Sequence, residues 1–106
     1  MAQPHKPWFL YLIRCKDNSL YAGITIDLER RFAEHQAQGD KCAKYLKGKA
    51  PLQLVFSTFA GNSKSEASRL EYRIKRLAKR DKERLVSGNV NLEQLNLLAL
   101  EDRESQ

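Results

Sequence analysis

Long apolar runs, closely paired cysteines and clustered histidines are all missing from this 106-residue chain. No hydrophobic stretch approaches the length that crosses a bilayer, so no membrane partner is expected. The apolar segment that follows residues 1–7 is too short and too interrupted for a secretory signal, which makes the expected home cytoplasmic. Cys15 and Cys42 stand far apart without zinc-site spacing, and each reads as a reduced, buried thiol. Repeats and low-complexity segments are also lacking, and the length suits one domain with one modest core.

Positive charge is what the chain does have. The net charge is +6, and it is unevenly spread. Residues 89–106 hold Glu93, Glu101, Asp102 and Glu104 against Arg103, which makes that tail −3 and leaves residues 1–88 at +9. A domain this basic attracts polyanions and favours nucleic acid as partner. The expected organisation is an N-terminal extension over residues 1–7, a domain over 8–88, and a C-terminal helix with a frayed acidic tail over 89–106. A monomer is expected.

Patterning supplies the elements. Residues 8–15, WFLYLIRC, form a continuous apolar and aromatic run that suits a buried strand. The polar tetrapeptide 16–19 then turns the chain into a second short strand over 20–24, making a hairpin. Thr25 or Asp27 can cap a helix over 28–38, where Leu28, Phe32 and His35 share a face and Gly39 provides an end. Residues 40–49 are lysine-rich and read as a mobile basic connection with room for one helical turn. A third strand is expected over 52–59. A capping box at Ser63 to Glu66 opens a helix with Ala67, Leu70, Ile74 and Leu77 on its apolar stripe. A short helix over 80–86 ends at Gly88, and residues 92–100 are leucine-rich enough for a last helix, with 102–106 frayed. The fold class is α+β: a small, three-stranded, mainly antiparallel sheet flanked by helices.

Two aromatic tripeptides carry a resemblance. Phe9-Leu10-Tyr11 and Tyr21-Ala22-Gly23 place two tyrosines ten residues apart, and Asp27-Leu28-Glu29-Arg30-Arg31-Phe32 leads on to His35. This pattern resembles the GIY-YIG nuclease superfamily. Lys44-Tyr45 to Pro51-Leu52, and Ser65-Glu66-Ala67 to Leu70-Glu71, are similar to its compact YhbQ-like branch and to the nuclease domain of Slx-type structure-specific endonucleases. The likeness covers about residues 8–86. The first tripeptide departs by lacking Gly and Ile, Ala22 replaces a middle Ile, and no asparagine follows Glu71 where many longer members carry one.

The resemblance implies a site. Hydrolysis of a phosphodiester needs an activated water, neutralised charge in the transition state and help for the departing oxygen. Tyr11 is then the expected general base, with Arg31 beside it to favour phenolate and grip the scissile phosphate. Tyr21 is expected to orient water or phosphate, His35 to hydrogen-bond a phenol or relay a proton, and Glu71 to be the lone protein ligand of one Mg²⁺ or Mn²⁺. Gly23 is assigned a structural role, where a strand needs close approach. Lys41, Lys44, Lys47, Lys49, Arg69, Arg73, Arg76 and Arg80 are candidates for contacts with flanking phosphates.

Taken singly, each of these residues has an ordinary explanation: tyrosines pack strands, helical arginines are solvated, and Glu71 pairs with Lys75 four residues on. Their joint order and spacing is what favours chemistry. The expected activity is a metal-dependent endonuclease acting on DNA, including branched DNA in repair or recombination. The alternative is a noncatalytic nucleic-acid-binding module of the same fold, and a third reading is a protein-interaction domain docking through the leucine-rich tail.

Overall fold

The computed structural model describes residues 6–95. Strand β1 (Trp8–Arg14) is the middle strand of a three-stranded antiparallel sheet of order β2-β1-β3. Leu10, Leu12 and Ile13 are fully buried and Tyr11 nearly so. Consecutive apolar residues need cover on both faces of a strand, and the two cores supply it. The apolar run at 8–15 is therefore the signature of the one strand that touches everything.

Asp17 closes the following turn by accepting from the Ser19 amide and hydroxyl, with Asn18 in the left-handed region at φ 72°. Strand β2 (Leu20–Thr25) returns along the sheet edge with Tyr11 opposite Gly23 and Ile13 opposite Tyr21. Opposed residues share a face, so Tyr11, Ile13, Tyr21 and Gly23 lie on one side and Leu10, Leu12 and Ala22 on the other.

Helix α1 (Leu28–Ala37) covers the first side. Asp27 is its N-cap, accepting from the Arg30 amide at 3.1 Å, while Thr25 accepts from the Asp27 amide. The helix ends at Gln38, left-handed at φ 60°, one residue before the expected Gly39. The Gln38 side chain explains the placement: its amide nitrogen donates to the Leu46 carbonyl and its oxygen accepts from the Gly48 amide at 2.7 Å. The lysine-rich segment is thus no loose connection. It is clamped by Gln38, carries one 3-10 turn over Lys44–Leu46, and buries Cys42 and Leu46 beneath it. Strand β3 (Gln53–Gly61) runs two residues past its expected end and is bulged twice against β1, between Trp8 and Phe9 and between Leu12 and Ile13.

Helix α2 (Lys64–Lys75) is capped by Ser63, and Glu66 reaches back to the Asn62 amide at 2.7 Å. Helix α3 (Lys79–Ser87) ends at Gly88, φ 82°, as expected. Leu70 and Ile74 of α2 and Leu85 of α3 pack on Leu10, Leu12 and Ala22, forming a core on the second side. Tyr11, Ile13, Cys15, Cys42, Leu46 and Leu52 form the core on the first, with Leu28 and Phe32 of α1 against it. The result is three layers, helix on sheet on helix. Residues 92–95 form a turn opened by reciprocal Asn91 and Gln94 hydrogen bonds; the remainder of the expected last helix and the frayed tail lie outside the described residues. Among the described residues, no helix is long and apolar enough to cross a membrane.

Candidate active site

The site begins with a missing side chain. A Cβ built at Gly23 would overlap the Tyr11 hydroxyl and stand 2.5 Å from its Cζ. The Tyr11 ring therefore lies across its neighbour on β2 and carries its oxygen toward the sheet edge. Any other residue at position 23 would take that space, so the expected structural role of Gly23 has a definite content: it is the channel for this phenol.

His35 fixes the far end of the phenol. Its ring is fully buried, with Nε2 2.9 Å from the Tyr11 oxygen, while Nδ1 accepts from the Ala43 amide at 3.3 Å. A backbone amide can only donate, so Nδ1 is unprotonated, and a neutral imidazole must then carry its proton on Nε2. Burial, reinforced by the Arg31 charge, holds the imidazole neutral by pushing its pKa down to about 4. His35 thus donates to Tyr11, and the phenol's own proton points elsewhere.

Arg31 stands one helical turn before His35. Its Nη1 donates to Glu34 at 2.9 Å and to the Lys41 carbonyl at 2.7 Å, which holds the guanidinium where it pulls the Tyr11 pKa down. Burial lowers the Arg31 pKa, but its bond with Glu34 and the influence of Tyr11 outweigh that and leave it raised. Tyr11 itself is pushed up to about 12 by burial and by the Tyr21 phenol, against the opposing pull of Arg31; the Glu71 charge also raises it. In the isolated protein Tyr11 is therefore a neutral phenol at physiological pH, pressed from three sides by groups that respond to its charge.

Tyr21 completes the aromatic cluster. Its ring centroid lies 6.4 Å from Tyr11, 5.9 Å from His35 in an edge contact, and 5.7 Å from Tyr45, on which it stacks. The Tyr45 ring carries Lys49 Nζ 3.6 Å from its centroid, and Lys49 pairs with Asp17. Tyr45 was not among the residues expected at the site, although it sits in the middle of the lysine-rich segment; only the folded loop brings it onto Tyr21.

Glu71 comes from the other layer. Helix α2 packs beneath the sheet, yet the Glu71 charge is close enough to act on Tyr11, and its carboxylate pairs with Lys75 at 3.3 Å. Of the charges that act on the Tyr11 phenol, that of Glu71 is the one supplied by α2. The remaining basic candidates divide. Lys41, Lys44 and Lys47 are exposed on the loop beside Arg31 and Tyr45, with Lys49 tucked over the Tyr45 ring. Arg69, Arg73 and Arg76, by contrast, lie roughly 140–160° around α2 from Glu71 at 3.6 residues per turn, and Arg80 lies in the first turn of α3.

Comparison with known proteins identifies the family. The family model for the GIY-YIG catalytic domain matches residues 7–84. The chain is 63% identical over 86 residues to a UPF0213 protein of Cronobacter sakazakii, covering 81% of this chain and 87% of that one. It is 58% identical over 93 residues to the UPF0213 protein YhbQ of Escherichia coli O127:H6, covering 87% and 90%. Among solved structures it is similar to that of the protein EF2693 from E. faecalis, with 26% identity, a TM-score of 0.52 and 99% of each chain covered. The chain whose Tyr11 ring lies across Gly23 belongs to the GIY-YIG catalytic domain family, a family of nucleases.

Proposed function

We propose that this protein is a metal-dependent endonuclease that hydrolyses DNA phosphodiester bonds. The observation that carries the reading is the Tyr11 oxygen, which accepts from His35 Nε2 at 2.9 Å and whose pKa Arg31 pulls down. A phenol oxygen supplied with donors is helped to ionise, and the phenolate can then act as general base, taking a proton from water and returning to neutral phenol. Arg31 serves twice, favouring the phenolate before it takes the proton and offering its planar guanidinium to the scissile phosphate. His35 positions Tyr11 as a neutral donor, and Tyr21 orients the water or phosphate from the adjoining ring.

Glu71 is the residue that would hold Mg²⁺ or Mn²⁺. Among the described residues no cluster of three or more His, Cys, Asp or Glu side chains could enclose an ion. One partly exposed carboxylate fits a hard cation that keeps most of its waters and takes phosphate oxygens for the rest. When bound, such an ion supplies positive charge at the phosphate and favours ionisation of nearby water and phenol. All five groups come from one chain, in keeping with activity as a monomer. The proposed substrates include branched and other non-B-form DNA, met in repair or recombination.

The test is incubation of the purified protein with labelled fork, flap and linear DNA in Mg²⁺, Mn²⁺ or EDTA. Cleavage that needs the metal and disappears in Arg31→Ala and Glu71→Ala, while DNA binding persists, is the expected result. Salt-sensitive binding that never leads to cutting would instead leave a noncatalytic binding module.

A further inference from the structure

Beside the catalytic groups is a cavity of about 300 Å³ lined by Leu20, Tyr21, Ala22, Tyr45, Lys75 and Lys82. It lies along the β2 edge, and Lys75 joins it to Glu71 through their 3.3 Å ion pair. Its volume sits at the small end for organic ligands. Its lining combines two tyrosine rings, an apolar strip of strand edge and two ammonium groups. Rings and cations together on a concave surface suit a base with its phosphate, since every base offers a π-face and every nucleotide a charge.

We infer that this cavity is a subsite for one unpaired nucleotide next to the scissile phosphate, with the base held against Tyr45 and Tyr21 and the adjoining phosphate against Lys75 and Lys82. The position relative to the scissile bond rests on the nuclease reading; the affinity for an unstacked base does not. Tyr45 is 45% exposed and already stacked on Tyr21, so its orientation is set before a ligand arrives. Lys49 covers the Tyr45 ring in the free protein, tethered by an ion pair to the exposed Asp17. A base in a duplex is stacked on both sides and cannot enter, so the subsite selects strands that are single or frayed at this position.

The test compares, by fluorescence anisotropy in EDTA, a labelled dT 12-mer with a 12-residue abasic strand of the same charge. Wild type is expected to bind the dT strand roughly tenfold more tightly, as stacking of a base on an aromatic side chain allows. Tyr45→Leu is expected to bring the two affinities within about twofold, and Tyr45→Trp to keep them apart. Lys82→Ala is expected to weaken both strands alike and reduce the salt slope by about one. Equal binding of the two strands by wild type, or a preference that survives Tyr45→Leu, would overturn the subsite, and the wild-type comparison stands even where a variant does not fold. A parallel cleavage assay in Mn²⁺ separates the two readings. Base-dependent binding without cleavage supports the subsite and removes the nuclease assignment, whereas cleavage without base dependence does the reverse.

Discussion

The Tyr11 ring occupies the place where a side chain at Gly23 would be. This packing ties a backbone position on one strand to the reach of a phenol on the next. Gly23→Ala is expected to push Tyr11 off His35 and to lower cleavage far more than it lowers stability. The strain is of the overpacking kind, about 1–3 kcal/mol. Thermal unfolding and cleavage rates, measured on the same preparation, check it; an alanine variant with wild-type rates would show that Tyr11 has no need of the channel.

Tyr11→Phe keeps the ring and removes the oxygen. The His35 Nε2 proton is then buried without a partner, a loss of about 1–3 kcal/mol. The variant is expected to fold, to unfold at a lower temperature, and to lose cleavage. Retained cleavage in this variant would take the general base away from Tyr11.

Stability should fall on both sides of a neutral plateau. His35 is depressed from 6.5 to about 4, so the unfolded chain binds more protons in that window and stability is lost as pH falls through it. Glu83, held down to about 2 by Arg14, adds a further loss as pH falls from about 4.5 toward that value. Tyr11 is raised from 10.0 to about 12, so the stability it contributes is present below pH 10 and lost as pH rises through 12. Denaturant titrations over the pH range check this, and His35→Gln is expected to flatten the segment between about 4 and 6.5.

Cleavage should follow a different profile. With Tyr11 titrating far above neutrality, the fraction of phenolate, and with it the rate, is expected to climb roughly tenfold per pH unit on the neutral side of its pKa. A rate that is flat from neutral pH upward would point to another base or to a step other than chemistry.

Arg14 and Glu83 offer a control. Their two-pronged contact, 2.8 and 2.7 Å, joins the end of β1 to α3 and takes no part in the site. Glu83→Gln is expected to cost about 1 kcal/mol or less, as partly exposed pairs do, and to leave cleavage unchanged. Reduced cleavage at undiminished stability would mean that α3 reports to the active site.

Much of this was legible beforehand. The strand and helix order follows from local pattern, because β1 is apolar throughout and Asp27, Ser63 and Gly88 act where caps should. The expected elements that moved did so through tertiary contacts: Gln38 ends α1 early because its amide has work in the next loop, and that same amide fixes a lysine-rich segment that composition alone describes as loose. The site divides similarly. Spacing placed Arg31 and His35 on one turn of helix, but the protonation of His35 depends on the Ala43 amide, a backbone group that no side-chain motif displays. Tyr45 belongs to a segment that carries the family resemblance, but its place in the site is not legible there, because stacking on Tyr21 joins residues 24 apart through a loop.

Because β1 is buried on both faces, neither helical layer is an optional accessory. Loosening α2 from Leu10 and Leu12 exposes the back of the strand that holds Tyr11 at its front. Heat or denaturant should therefore abolish catalysis and structure in one shared transition, and shorter fragments that keep only the tyrosine hairpin and α1 should be inert.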